Sequence, residues 1–323
     1  MLTYVLRRVV WGAVVILIVS AIVFFGVTAV TGDPLGELRH QPGISQETLD
    51  EIAARKHLNE PIYIQYAYWV RDAVTNGFGT TLVGDRVIWP DLRRSMWFTI
   101  QMVLLAEAFA IVVAIGVGVL SARRQYSWFD NAATTASFIG FAIPVFWAAL
   151  MLQVLATVFF ERTGIRLVYT AGLSSADATM PFLIDRAQHL ALPIAALAIT
   201  SVAQYSRYMR VSMLEVVNSE YVRTAVAKGV PQRKVTTKHA LRNALIPLTT
   251  VIGWNLGVVF GGTIVIETIF AIPGMGRYFF DALMDRDIYP LMAWLIVTGI
   301  AIVVANLITD VIYGYLDPRI RLD

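Results

Sequence analysis

The chain has 323 residues, 57% of them hydrophobic and 15% charged, with a mean hydropathy of +0.63 and a net charge of +3. Soluble domains carry about 25% charged residues; here the deficit is collected in long uncharged runs, so a bilayer is the expected solvent and nucleic acid is not indicated as a partner. Cysteine is absent, which excludes disulfides, thiolate metal sites and cysteine nucleophiles. His40, His57, His189 and His239 form no metal-ligand spacing, and no G-x-x-x-x-G-K-[ST] phosphate loop is present to bind ATP.

Arg7 and Arg8 precede an uncharged run from Val9 to Gly32. As a helix the run reaches about 36 Å, whereas a secretory signal has only roughly 7–15 apolar residues before a small-residue cleavage site. It is expected as a retained first span, so residues 1–32 form an N-terminal tail and the first transmembrane helix. Residues 33–95 are expected as a helical segment outside the bilayer. Leu49, Ile52 and Ala53 follow Ser45 at helical spacing, with Glu47 and Asp50 in the first turn. After Pro61, the residues Ile62, Tyr66, Trp69, Val70 and Ala73 share one face of a second helix. The segment reads as a small helical cap lying on the membrane surface.

Residues 96–323 hold five further candidate spans: Met96–Ala122, Asn131–Phe160, Leu190–Ser206, Ala244–Ile266 and Ile288–Thr309. Pro144 is expected to kink the second of these or split off a short helix. Six spans place both termini on one side, and Lys and Arg in the loops decide which side that is. Residues 207–242 carry eight basic and two acidic residues, against seven and nine in residues 33–94 and two and four in residues 267–287. Both termini and the 207–243 loop are therefore expected in the cytoplasm.

That loop has a shape of its own. Leu214, Val217, Tyr221, Ala225 and Lys228 recur at spacings of three and four, which predicts a helix over Met213–Lys228. Gly229 stands where a left-handed C-terminal cap is wanted, and Pro231 can open the next helix at its first turn. The second helix is expected to run through Lys234, Lys238 and Arg242 and enter the membrane near Leu245. Helix, glycine turn, helix is a shape that can insert as a rigid knob into a groove on another protein.

Inside the spans two features stand out. Glu107 lies within the second span, where an ionisable group costs roughly 2.5–3.5 kcal/mol on insertion scales and must face protein or water. Its alternatives are a polar point on a translocation path and a helix–helix hydrogen bond. Gly253, Gly257 and Gly261 form a G-x-x-x-G-x-x-x-G stripe with Asn255 among them. Such a stripe admits close helix packing, within the chain or against a partner, or makes a smooth pathway wall.

The run Glu220-Tyr221-Val222-Arg223-Thr224-Ala225-Val226-Ala227-Lys228-Gly229, followed by His239-Ala240-Leu241-Arg242-Asn243-Ala244-Leu245-Ile246-Pro247, resembles the ATPase-coupling (EAA) loop of ABC importer permeases. It is closest to the peptide and nickel branch, whose usual form is E-Y-x-R-T-A-R-A-K-G; Val226 departs from it where an arginine is common. The resemblance extends over nearly the whole chain. Tyr4-Val5-Leu6-Arg7-Arg8 and Gly32-Asp33-Pro34 frame the first span, and Leu58-Asn59-Glu60-Pro61, Gln65-Tyr66, Trp69 and Gly77-Phe78-Gly79 match the segment after it. Ile143-Pro144-Val145-Phe146-Trp147, Glu267-Thr268-Ile269-Phe270, Pro273-Gly274-Met275-Gly276 and Leu316-Asp317-Pro318-Arg319 complete the set. Together and in order these favour the first-permease type of the oligopeptide and dipeptide systems.

The resemblance implies an all-α type I ABC importer permease with six transmembrane helices in a bacterial inner membrane. It implies a second homologous permease, two ATP-binding subunits holding ATP and Mg, and an extracytoplasmic peptide-binding protein; this chain then needs no cofactor or metal and is not an enzyme. Glu220, Tyr221, Arg223, Thr224, Ala225, Lys228 and Gly229 become the expected ATPase-coupling residues. An ion-coupled secondary transporter would instead show repeated halves and several intramembrane charges, and a nickel-chelate permease would share the same loop. An intramembrane enzyme would need a nucleophile, base or metal set at matched depth, and none is visible.

Overall fold

A computed structural model describes residues 2–31, 34–36, 39, 44–175 and 180–316. Gly32-Asp33 and Asp317-Pro318-Arg319 lie outside the described residues, as do the side chains of Tyr4, Val5, Lys238, His239 and residues 256–262. Among the described residues there is no strand, only an isolated bridge between Thr80 and Val87. The helices are α1 (Leu2–Thr31), α2 (Gln46–Arg55), α3 (Ile62–Thr75), α4 (Ile88–Arg123), α5 (Trp128–Ala142), α6 (Val145–Thr163) and α7 (Phe182–Val217). They continue as α8 (Glu220–Ala227), the short α9 (Gln232–Lys234), α10 (Leu241–Gly262), α11 (Ile264–Ile269), α12 (Met275–Met284) and α13 (Ile288–Leu316).

Five described helices are long and apolar enough to cross a bilayer: Leu6–Ala29, Ile88–Arg123, Val145–Thr163, Phe182–Val217 and Ile288–Thr309. The remaining expected span, Ala244–Ile266, falls on α10 and α11, where many side chains are outside the described residues. Several boundaries differ from expectation for local reasons. α4 starts at Ile88 because Pro90 and Asp91 suit a first helical turn. The expected Asn131–Phe160 span is two helices, since Pro144 caps α6 with extended backbone (ψ 136°) and cannot donate back into α5. α7 swallows the shortest expected span and is 36 residues long, about 54 Å, well over a bilayer's hydrocarbon thickness.

The chain divides into two compact units. One comprises residues 2–98 and 273–303; the other is built from 99–272 and 304 onward. The first holds the two predicted amphipathic helices. Ser45 caps α2 by accepting from the Thr48 amide at 3.1 Å, and Leu49, Ile52 and Ala53 are buried with Leu35 and Leu82. α3 buries Trp69 against Phe24 of α1, with Tyr66, Val70 and Ala73 packed beside it. Ile62 is an exception to the expected face: at the first position of α3 it is exposed. Ser20 of α1 bonds the Tyr66 hydroxyl at 2.8 Å. The rest of α1 shows Leu6, Val10, Trp11, Val15 and Ile18 outward, as a helix does when its solvent is lipid.

The second unit is organised around α7, which packs against α5, α6, α10 and α11. Its core alternates small and large residues: Ala110, Ala114 and Ala198 are fully enclosed with Tyr205, Met209, Met213 and Leu248. Close approach needs glycine in α4, where a Cβ on Gly118 would lie 2.6 Å from the Met209 Cβ. Without a strong hydrophobic drive between helices in lipid, such tight contact supplies the dispersion that holds them.

In the first unit the buried Asp287 accepts from the Leu82 amide at 2.5 Å and the Tyr289 amide at 3.1 Å, fastening the turn before α4 to the start of α13. Burial raises its carboxyl above aspartate's ordinary 3.8, against the pull of the two amides. A raised folded value gives a contribution that is complete below the unfolded pKa and lost as pH rises through the folded one. Asp287→Ala is expected to cost about 1–3 kcal/mol by orphaning two buried amides, and to remove that pH dependence from the wild-type denaturation curve. Tryptophan-fluorescence melts in detergent at stepped pH check both.

Candidate coupling hairpin and membrane core

The expected helix over Met213–Lys228 is broken in the structure. α7 ends at Val217, and α8 begins afresh at Glu220 with Ser219 extended (φ −74°, ψ 150°) as its N-cap. The cause is local: Asn218 donates to the Leu214 carbonyl at 2.9 Å and Ser219 Oγ to the Val216 carbonyl at 2.6 Å. Both side chains satisfy the last carbonyls of α7 and end it. Glu220 then sits in the first turn of α8, where negative charge suits the helix dipole.

α8 ends as the sequence requires. Gly229 is left-handed at φ +75°; its amide donates to the Val226 carbonyl at 2.9 Å, and the Val230 amide to the Ala225 carbonyl at 3.2 Å. That pair of bonds is a Schellman cap. Pro231 opens the return arm, and its carbonyl accepts from the Val235 amide at 3.1 Å. The arm widens into a π turn over Val235–Ala240 before α10, a feature concentrated at functional sites. Val222 of α8 and Val235 of the return arm are buried, and Ala240 and Ala244 are buried in the core cluster with Tyr205, Met209 and Met213. Asn243 donates to the Tyr221 hydroxyl at 2.7 Å across the arms.

The outer face of the hairpin carries the expected coupling residues. Glu220, Tyr221, Arg223, Thr224, Lys228 and Gly229 are exposed, Ala225 is half-buried, and Val226 is 49% exposed. Arg223 donates to Glu220 at 3.0 Å, but with side chains 65% and 88% exposed the pair adds little stability and leaves both groups available. Thr224 Oγ1 turns back to the Glu220 carbonyl at 2.9 Å. One small apolar seam holds the knob together, and nearly every other side chain faces out.

The membrane candidates divide. Glu107 is buried, its Oε1 accepting from Ser201 at 3.1 Å and its Oε2 from the Tyr205 hydroxyl at 2.8 Å. The same Tyr205 oxygen accepts from Asn255 Nδ2 at 3.1 Å, and Asn255 also donates to Gln204 at 2.8 Å. Glu107 and Asn255 therefore meet through Tyr205 in one network that joins α4, α7 and α10. Gly253 is a packing position: a Cβ there would lie 2.1 Å from Thr309 Cγ2 of α13. Gly257 and Gly261 also lie on α10, and what packs against them falls outside the described residues.

Two further polar contacts escaped sequence reasoning. Asp130 of α5 takes a bidentate grip from Arg210 of α7, at 2.6 and 2.8 Å, and also accepts from the Tyr126 amide at 2.9 Å. Its side chain is 2% exposed. A charge bordering each apolar run, Asp130 ahead of Asn131 and Arg210 after Ser206, was the available signal. Glu267 is fully buried and accepts from Thr99 at 2.5 Å; it stood inside a motif but at the edge of a span.

Long apolar helices, a split helix at a proline and an exposed hairpin between two core helices define a polytopic membrane permease of the type I ABC importer fold. The chain belongs to the family of binding-protein-dependent transport system inner membrane components, whose pattern matches residues 114–322; the corresponding N-terminal pattern matches residues 1–106. It is 36% identical to the oligopeptide transport system permease protein AppB of Bacillus subtilis, over 99% of this chain and 100% of that protein. It is 35% identical to the dipeptide transport system permease protein DppB of Alkalihalophilus pseudofirmus, over 99% and 100%. Against DppB of Escherichia coli K12 the identity is 32%, over 99% of each chain.

Two measurements bear on this geometry. Since a Cβ on Gly229 meets nothing within 4 Å, Gly229→Ala is expected to cost only the left-handed penalty, about 1–2 kcal/mol, with Gly229→Asn milder; limited proteolysis of the hairpin reads both. A double-mutant cycle on Asp130→Ala and Arg210→Ala is expected to return a coupling energy of about 2 kcal/mol in denaturant titration, and near-zero coupling would show the grip to be incidental.

Proposed function

We propose that this chain is one of two related membrane subunits of an ATP-driven importer for peptides. It lines half of the path and receives the work of ATP hydrolysis through α8 and its glycine cap. A second, homologous permease completes the path. Two ATP-binding subunits carry ATP and Mg, and an extracytoplasmic binding protein delivers the peptide. In this reading both termini and the hairpin are cytoplasmic, as the excess of basic residues in 207–242 supports. The peptide assignment rests on the named functions of the relatives.

The observation that carries the coupling role is the hairpin itself. Its seam is buried while Glu220, Arg223, Thr224 and Lys228 face outward, and its arms are continuous or nearly so with α7 and α10. α7 is hydrogen-bonded to Glu107 through Ser201 and Tyr205, and α10 joins the same network through Asn255 on the Tyr205 hydroxyl. A push on α8 therefore reaches the membrane core through helices already tied to it. For alternating access, the ATP-bound and free states must differ in the contacts they make with this knob. Glu107 on this view is a positioning residue of the core.

The test is ATP-dependent peptide uptake in proteoliposomes containing this chain, its partner permease, the ATPases and the binding protein. Gly229→Pro forces φ near −65° where the cap needs +75°. The variant is expected to assemble in the membrane but to lose at least tenfold in uptake and in peptide-stimulated ATP hydrolysis. Normal uptake with the cap broken would refute the coupling role, and uptake driven by an ion gradient without ATP would replace it with secondary transport.

A further inference from the structure

Within the first unit a cavity of about 550 Å³ opens between the start of α4, the turn before it and α12. That volume lies within the roughly 300–1,000 Å³ of small-ligand sites. Its lining carries both signs of charge. Arg86, Asp91 and Arg94 come from the α4 side, while Asp281 of α12 and Asp285, the helical residue that caps α12 four positions on, come from the other. Among the described residues none of Arg86, Asp91, Arg94 or Asp285 is in an ion pair, and Asp281 meets only Arg277 of its own helix, at 3.8 Å. Arg94 lies over the Phe98 ring, 5.8 Å from its centroid, which leaves its charge unneutralised. Opposite charges that share a concavity without pairing remain open to a ligand that brings its own two charges. The fourth aspartate, Asp287, is not free, because the Leu82 and Tyr289 amides occupy it.

Tyr278 of α12 also lines the cavity, near the charges of the opposite wall. Burial pushes its hydroxyl well above the usual phenol range, with Asp91 and Asp287 pushing the same way and Arg86 opposing. The phenol is thus a neutral donor and acceptor that feels both signs of the lining. Ser95 adds a hydroxyl, whereas that of Thr81 is taken up by the Val83 carbonyl and the Arg86 amide, and Ile88, Ala282, Met284 and Pro290 give apolar surface. A ligand for such a site has an anionic end, a cationic end, and amide and apolar groups between them.

We propose that this cavity binds a short peptide by its free termini, the α-carboxylate toward Arg86 and Arg94 and the α-ammonium toward Asp281 and Asp285, with Tyr278 reaching the backbone between. The proposal rests on the peptide reading above and adds to it a site on the permease. Because the charged side chains are exposed, each pair contributes modestly and binding is weak. Weak binding suits a site that must release its ligand onward.

The experiment uses the permease–ATPase complex in nanodiscs without the binding protein, and a tripeptide with a central benzoylphenylalanine as photoprobe, beside its N-acetylated, C-amidated form. Labelling of residues 81–95 and 275–287 by the free tripeptide is expected, with a fall of at least fivefold for the capped probe and for Arg94→Glu. Combining Arg94→Glu with Asp281→Lys keeps both signs present and is expected to recover labelling by the free tripeptide, which a misfolded variant would not do. Equal labelling by free and capped probes, or labelling elsewhere only, overturns the site. Absent labelling alongside normal peptide uptake overturns the site and leaves the peptide reading standing, and absent uptake of any peptide overturns both. If Arg94→Glu weakens capture of the binding protein while no peptide is labelled, the cavity is a protein contact and the proposal falls.

Discussion

A carboxyl group in the middle of a membrane has to be satisfied by its own protein, and the core of this chain is arranged around that demand. Glu107 finds two hydroxyl donors on one neighbouring helix, and one of them, Tyr205, passes the network on to Asn255. Lipid offers no alternative partner, so separating α4, α7 and α10 would strand several polar atoms at once. The small residues around the network, Ala110, Ala114 and Ala198, let the backbones come close enough for those bonds. Packing and polar satisfaction thus act on the same three helices.

α7 turns that local constraint into a mechanical one. It carries Ser201 and Tyr205 of the network, then Arg210 in its grip on Asp130, and ends directly at the hairpin. Along this helix the anchorage is therefore repeated at two levels, one deep in the span and one nearer α8. The hairpin itself is held by small local features: buried Val222 and Val235, a Schellman cap at Gly229 and the Asn243–Tyr221 hydrogen bond between its arms. Such an element holds its shape locally and relies on a partner or on α7 for its position.

Much of this was legible from residue order, and what was not has physical causes. Ser45 with Leu49, Ile52 and Ala53, and Gly229 with Pro231, were read correctly because caps and helical spacing are local signals. Pro144 announced the break between α5 and α6 in the same way. The start of α4 and both ends of α7 were missed, while the end of α4 at Arg123 fell within one residue of expectation. Hydropathy marks the part of a helix that lies in lipid and is silent where the helix continues into water. The break at Asn218-Ser219 was overridden by an apolar period that runs through it, although Asn-Ser-Glu is a competent stop and restart. Asp130 with Arg210, eighty residues apart, and Glu267 with Thr99 depend on tertiary placement, which no local pattern encodes. Glu107 was recognised as anomalous, but its partners were not. Gly253 could be placed on a packing stripe without knowing that Thr309 would fill it.

The absence of cysteine from this chain permits a direct measurement of where the hairpin docks. Single replacements Arg223→Cys, Thr224→Cys and Lys228→Cys would each carry a maleimide-linked benzophenone, with Val154→Cys on the outward surface of α6 as control. Crosslinking of the co-assembled ATPase from the three hairpin positions, and not from position 154, is the result this account requires. If the hairpin positions crosslink no better than the control in an assembled complex, α8 is not the docking element and the account fails at its centre.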